Sequence, residues 1–193
     1  KSIKLMPLVH LPVQSGSNKI LKLMNRKHTI KEYLIIYEKL KKINSNIEFS
    51  SDFIIGYPGE SDDDFQYTME LIEKIRFTNS YSFIFSPRPG TVAADLELVD
   101  KKKSKERLAI IQKKLFENQI KKNTSLEGKV LHVLVENRMK DGIKLFGRTE
   151  YLTSVIFDGD SDCIGKVVQI EITSSNQNSL FGKLKANYKQ KVA

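Results

Sequence analysis

The sequence predicts two folds in succession, an α/β segment over residues 1–125 and a small all-β barrel of OB-like architecture over residues 126–188. Three observations carry that prediction. Up to about residue 76, apolar runs of strand length alternate with stretches of helical periodicity, which implies a parallel sheet with right-handed crossovers. The run Ser51-Asp-Phe-Ile-Ile-Gly-Tyr-Pro-Gly-Glu-Ser61 reads as a buried strand that breaks at a tight turn and restarts as a helix. After Gly128 the helical period stops, and five short strands follow, punctuated by Gly142, Gly147, Gly159, Gly165 and Gly182.

The elements follow in order. Residues 4–13 read as a strand whose Pro7 and Pro12 mark an edge, a bulge or a strand end, since proline cannot donate to a ladder. Gln14–Asn18 is a polar turn, and Ile20, Leu21 and Met24 face inward from a short helix. Thr29 and Glu32 form a Thr-x-x-Glu capping box that opens a helix to about Ile43, with Tyr33, Ile36, Leu40 and Ile43 at the centre of its apolar stripe. The strand at 48–55 ends at Pro58. Gly56 and Gly59 allow backbone conformations, and a closeness to a ligand, that a Cβ would forbid. Ser61 caps the next helix, whose first turn, Asp62-Asp63-Asp64, suits the helix dipole and whose Phe65, Met69, Ile72 and Ile75 share a face. Residues 80–86 form an aromatic-rich strand ending in the rigid loop Pro87-Arg88-Pro89-Gly90-Thr91. A basic helix over 101–125 carries Leu108, Ile111, Leu115, Phe116 and Ile120 as its apolar positions. Strands are expected at Val130–Val135, Ile143–Arg148, Val155–Phe157, Val167–Thr173 and Leu180–Leu184, in an antiparallel barrel, with a frayed tail from Asn187. In the fourth, Val168, Ile170 and Ile172 alternate with Gln169, Glu171 and Thr173.

Charge is distributed in blocks. The chain carries net +9, but residues 1–44 hold +8, residues 45–100 hold −8 and residues 101–125 hold +7. A basic chain with such blocks suits a polyanionic partner that touches selected faces, although a solvated Lys-rich surface has the same composition. The single cysteine, Cys163, leaves no internal disulfide and fits a reducing cytoplasm. No apolar run reaches membrane-span length. The chain opens on Lys1 directly into an apolar strand-like stretch, from which a missing beginning is expected. His10, His28 and His132 show no metal spacing and read as structural.

Four segments are similar, in order and spacing, to the radical S-adenosylmethionine (SAM) methylthiotransferases, most closely the MiaB type. They are His10-Leu-Pro-Val-Gln-Ser-Gly-Ser17, Met24-Asn-Arg-Lys-His-Thr29, Ser51-Asp-Phe-Ile-Ile-Gly-Tyr-Pro-Gly-Glu60 and Ser86-Pro-Arg-Pro-Gly-Thr91. Gly147-Arg-Thr149, Gly165-Lys-Val167 and Asn178-Ser-Leu180 resemble the TRAM domain that ends these proteins. The resemblance runs from about Lys4 to Leu184. It implies a partial radical-SAM (β/α) barrel followed by a TRAM domain that binds RNA. The implied reaction puts a methylthio group on an adenine base of tRNA next to the anticodon, using SAM and 4Fe-4S clusters. The implied partners are the tRNA anticodon stem-loop and an N-terminal, cluster-bearing part of the same protein, in the cytoplasm.

The resemblance also assigns roles. Gln14 is directed at the SAM ribose, and otherwise reads as a turn-capping amide. Arg26 is directed at the SAM carboxylate, which a guanidinium fork suits, and otherwise is a solvated helix arginine. Asp52 would accept the ribose hydroxyls, or pair with a neighbouring lysine. Ile55, Gly56 and Tyr57 would offer backbone groups and a surface to the adenine, or be simple core and turn. Arg88 would neutralise a substrate phosphate, contact SAM, or brace its loop. Lys113, Lys121, Lys129, Arg148, Lys166 and Lys183 are the candidates for RNA contact.

Departures qualify the likeness. The family's Cys-x-x-x-Cys-x-x-Cys is absent, so the chain by itself is expected to be inactive, with no metal ligand and no catalytic residue of its own. Leu152 stands where the family usually has Asn, Ser175 replaces a more usual Ala, and Asp158–Asp162 places three acids in a barrel loop. A stand-alone RNA-binding fragment, or a methylthiotransferase for threonylcarbamoyladenosine, are the other readings. The segment before about residue 100 is expected to be aggregation-prone or partly disordered, and residues 126–186 to fold alone.

Overall fold

The computed structural model describes residues 6–140 and 142–185. The first residues of the strand expected from Lys4 and the tail expected to fray from Asn187 lie outside them. The chain forms two compact units, Val9–Asn118 and a second that takes in everything from Gln119 onward.

The first unit is α/β. Its elements are β1 (Leu8–His10), α1 (Asn18–Leu23), α2 (Ile30–Ile43), β2 (Glu48–Ser50), β3 (Asp52–Ile55), α3 (Asp62–Ile75) and β4 (Tyr81–Ile84), followed by α4, which starts at Lys101. The single strand expected over 48–55 is divided at Ser51: β1 pairs with β2, and β3 pairs in parallel with β4. Side chains replace ladder bonds at the break. Ser51 Oγ accepts from Val13 N–H, and Ser51 N–H donates to Ser80 Oγ, each at 2.9 Å. Pro7 and Pro12 bracket the short β1, and beyond it Gln14 rejoins the sheet through one parallel bridge to Phe53.

Helix faces follow the periodicity with two corrections. In α2 the buried row is Ile30, Tyr33, Leu34, Tyr37 and Leu40, while Ile36 and Ile43 are exposed. Two apolar rows lie side by side on this helix, and the sheet selects one; Tyr33 fixes the choice by donating its hydroxyl to Leu11 O (2.8 Å). In α4, which ends at Thr124, Ile111 and Leu115 are buried as expected, but Phe116 and Ile120 are exposed. The buried row instead runs back through Ser104 and Arg107. Helix α3 agrees with expectation: Phe65, Ile72 and Ile75 are buried, and Ser61 caps it in a capping box with Asp64. Phe53, Ile55, Phe77 and these helix residues form one core.

The second unit is a closed barrel of β5 (Val130–Arg138), β6 (Lys144–Thr149), β7 (Ser154–Asp158), β8 (Val167–Ser175) and β9 (Ser179–Leu184), in the order β5-β6-β7-β9-β8. It is not wholly antiparallel: β7 and β9 run parallel, which closes the barrel. The alternation in β8 holds, with Val168, Ile170 and Ile172 inside among Val133, Val135, Leu145, Phe157 and Leu180. Gly147 and Gly182 are required by closeness rather than by φ. A Cβ at either would collide with the carbonyl oxygen of the facing strand, Leu134 O or Glu171 O. The boundary between compact units falls inside α4, at Asn118/Gln119. Asn123 shows why: its amide donates to the carbonyls of Asn176 and Gln177 in the β8–β9 turn (2.8 and 3.1 Å).

Candidate functional site

The C-terminal edge of a parallel sheet is where ligands bind in α/β folds. Here that edge gathers the turn after β3, the segment after β1 and the segment after β4. Gln14 is buried with φ +73°, a left-handed conformation that costs a residue with a Cβ on the order of 1 kcal/mol. Its backbone is stitched to β3, the N–H to Asp52 O (3.0 Å) and the carbonyl to Ile54 N–H (2.9 Å). Its side-chain amide has no hydrogen-bond partner among the described residues, so a donor and an acceptor are held ready at the edge.

The turn itself is locked from behind. Ile55 is a core residue whose side chain is buried. At Gly56 (φ +70°) a Cβ would meet Ser104 Oγ of α4. Gly56 N–H is committed to both oxygens of Glu60 (3.2 and 3.3 Å). Tyr57 is buried, packs its ring on Phe85 (4.8 Å) and donates its hydroxyl to Leu23 O (3.0 Å), which ties the turn to the end of α1. Arg26 is exposed in the loop just beyond, its N–H bonded to Leu21 O. Phe85 N–H donates to Ile55 O (2.8 Å), so the segment leading to exposed Arg88 starts beside the turn.

Asp52 adjoins Gln14, whose N–H donates to its carbonyl (3.0 Å). It opens β3, three residues or roughly 10 Å before the turn. Its partner is not a lysine but His10, whose Nε2 lies 3.4 Å from Asp52 Oδ2 and whose Nδ1 lies 2.8 Å from Ser50 Oγ.

Two charged clusters were missed by sequence reasoning. Arg107 and Glu60 are both buried, with Nη1 2.5 Å from Glu60 Oε1, and Nη2 reaches Asp62 (2.7 Å). Burial pushes the Glu60 carboxyl up, against the opposing pull of Gly56 N–H and Arg107. The available signal was spacing: Arg107 precedes Ile111 by one helical turn, on the row that is buried. The second cluster is buried Asp64, which accepts from Ser17 Oγ (2.6 Å) and Lys19 Nζ (2.7 Å). Burial raises this carboxyl, but hydrogen bonds from Lys19, Ser17 and Ser61 together hold it well below the ordinary carboxylate range. A cavity of about 460 Å³ among α1, α2 and α3 is lined by Ser17, Lys19, Leu34, Asp64 and Tyr67, and by none of the residues singled out from the sequence.

Lys113 is exposed on α4. In the second unit, Lys121, Lys129, Arg148, Lys166 and Lys183 are all exposed. Two of them already have acidic neighbours. Arg148 pairs with Glu136 (3.2 Å) and lies over the Phe146 ring (5.4 Å). Lys183 stands in register between Asp158 and Glu171 on the flanking strands. His132 sits outside the barrel beside Gln169, and Cys163 packs against the barrel core. Leu152 has φ +59°, a region that asparagine tolerates better than leucine.

Residues 2–72 match the Radical SAM superfamily, and residues 124–185 match the TRAM domain. A tRNA-2-methylthio-N(6)-dimethylallyladenosine synthase of Pelagibacter ubique (strain HTCC1062) is 78% identical over 192 residues, covering 100% of this chain and 43% of the relative. The chain belongs to the radical SAM methylthiotransferase family. Proteins of the same name from Ruthia magnifica subsp. Calyptogena magnifica (49% identical, 94% of this chain and 41% of the relative) and Wolbachia sp. subsp. Brugia malayi (46%, 93% and 41%) are similar as well. The chain thus spans less than half the length of these relatives.

Radical SAM proteins use SAM and iron–sulfur clusters. This chain has one cysteine, and its described residues contain no group of three or more His, Cys, Asp or Glu able to hold a metal. Its described residues do not fit a cluster. At the sheet edge the Gln14 amide has no hydrogen-bond partner among the described residues, and the Tyr57 hydroxyl on Leu23 O ties the Gly56 turn to the end of α1. Among the described residues, no helix is long and apolar enough to cross a membrane.

Proposed function

We propose that this chain supplies the SAM-facing sheet edge and the RNA-holding barrel of an enzyme that adds a methylthio group to isopentenyl-adenosine beside a tRNA anticodon. The observation that carries the reading is the 78% identity, over the whole chain, to a synthase named for that modification. SAM bound at the edge supplies the methyl group and the radical chemistry, with the clusters held by a further part of the same protein. Gln14 donates to and accepts from the ribose. The backbone of Ile55–Tyr57 flanks the adenine, while the Tyr57 ring, fixed by Phe85 and Leu23, shapes the wall. Arg26 neutralises the SAM carboxylate, and Arg88, on the loop that starts beside the turn, takes a substrate phosphate. Asp52, beside His10 at the start of β3 and bonded through its carbonyl to Gln14 N–H, accepts the ribose hydroxyls. Lys129 and Lys166 on the barrel, with Lys113 and Lys121 on α4, contact the anticodon stem-loop phosphates, and Arg148 and Lys183 contribute less because acids flank them.

The test is the nucleoside profile of tRNA from cells with and without the intact gene. Loss of 2-methylthio-isopentenyl-adenosine, with the threonylcarbamoyl form untouched, is the expected result. Loss of the threonylcarbamoyl derivative alone would move the reading to the related enzymes. An unchanged profile with retained tRNA binding would leave an RNA-binding protein without this chemistry. Binding itself should weaken with salt, by a slope of about −0.7 to −0.9 per phosphate contacted.

A further inference from the structure

The turn at Ile55–Glu60 holds its shape through a charge that comes from elsewhere in the sequence. Gly56 is left-handed, and its N–H points at the Glu60 carboxylate, 3.2 and 3.3 Å from the two oxygens. The turn is closed by Glu60 N–H on Tyr57 O (2.9 Å). A carboxylate buried to this degree persists only when paired. Its partner is Arg107 of α4, 47 residues away, whose Nη1 donates both to Glu60 Oε1 (2.5 Å) and to Glu60 O (3.2 Å). The guanidinium is itself set in place by Asp62 Oδ1 (2.7 Å) and by the Phe65 ring beneath it (5.4 Å). Ser104, one turn earlier on α4, fills the space that a Cβ on Gly56 would need.

Among the described residues, Gly56 O and Tyr57 N–H are left without hydrogen-bond partners, and they form the peptide between the two that Glu60 holds, Ile55–Gly56 through its carboxylate and Tyr57–Pro58 through its N–H. We infer that Arg107 and Glu60 are positioning residues that aim the Gly56–Tyr57 peptide at the adenine of SAM. The inference rests on the proposal that SAM binds at this turn. The pair touches no reacting atom. It decides where two backbone groups point, so its loss should weaken SAM binding selectively and leave the bound reaction and the RNA site alone.

The experiment uses the intact, cluster-loaded protein with three substitutions. Glu60→Gln keeps an acceptor for Gly56 N–H but removes the charge. Arg107→Lys keeps the charge but loses the fork. Gly56→Ala displaces the turn through Ser104 whatever the pair does. In the two pair variants KM for SAM should rise about tenfold, with kcat changed less than about twofold and KM for tRNA unchanged. Without ligand, amide exchange of the peptide covering Ile55–Glu60 should quicken by about tenfold or more. A rise in KM for SAM in Gly56→Ala alone would overturn the positioning role while keeping SAM at the turn. No rise in any variant, with exchange quickened, would show that the pair shapes the turn but that SAM does not sit there, which overturns the underlying reading. Equal losses in kcat, SAM affinity and tRNA affinity would reduce the pair to a structural tie.

Discussion

The two units treat apolar residues differently. In the barrel every strand is paired on both sides, and the alternating residues of β8 fall inside or outside as their order dictates. In the α/β unit, β4 carries Tyr81 and Phe83 in exposed positions, 64% and 55% accessible, stacked at 6.5 Å. Ile36 and Ile43 of α2 are exposed as well. A closed sheet defines its own inside. An open parallel sheet leaves each helix and strand to be assigned a face by its neighbours. The difference teaches that apolarity predicted burial where closure is local, and predicted only candidates where burial depends on segments far apart in sequence.

The largest effect expected from this contrast is at the buried charge that joins distant segments. Arg107→Leu leaves Glu60 buried without its cation and should cost the α/β unit about 3–5 kcal/mol, read from denaturant unfolding. The barrel transition should stay where it is; a loss shared equally by both would contradict two independent cores. Next comes the barrel's own tight point. Gly182→Ala drives a Cβ into Glu171 O and should cost the barrel about 1–3 kcal/mol, with β8–β9 amides exchanging faster.

Acid should separate the units too. The folded Asp64 carboxyl titrates below its unfolded value, so the stability it contributes is fully present above about pH 4 and is lost as pH falls further toward its depressed pKa. The α/β unit should therefore weaken between pH 4 and 2 in part through Asp64, and Asp64→Asn should flatten that part of the profile. A smaller gain is expected at Leu152. Asparagine in its left-handed position should stabilise the barrel by about 0.5–1 kcal/mol. The smallest effect belongs to Ile36→Ser, within about 0.5 kcal/mol, because the side chain faces away from the core. A loss of 2 kcal/mol or more there would restore the stripe that the periodicity predicts.

Much of the site was legible. The strand–turn–helix at 51–61, the capping boxes at Thr29 and Ser61 and the five barrel strands follow from glycine, proline and cap chemistry within a few residues of each other. Gly56 is a position of close approach, and its neighbour Ser104, 48 residues away, was not legible. That Asp52 has His10 rather than a lysine beside it was not legible, because the two lie 42 residues apart in sequence. The split at Ser51 depends on Ser80 and Val13, and the parallel β7–β9 pair depends on barrel closure; neither is a local property.

By itself the sequence determined the two fold classes, the helix starts, the strand alternation and the family, because these depend on neighbours along the chain and on residue identities in fixed spacing. Tertiary structure alone decided which of two apolar rows on α2 is buried and that Arg107 meets Glu60. It also decided that Gly56 spends its N–H inside the turn, leaving the next peptide to face outward. The first two are pairings across 22 and 47 residues, where the packing of a helix or the desolvation of a charge selects among faces that the local pattern leaves equal, and the third follows because Arg107 holds the Glu60 carboxylate in place.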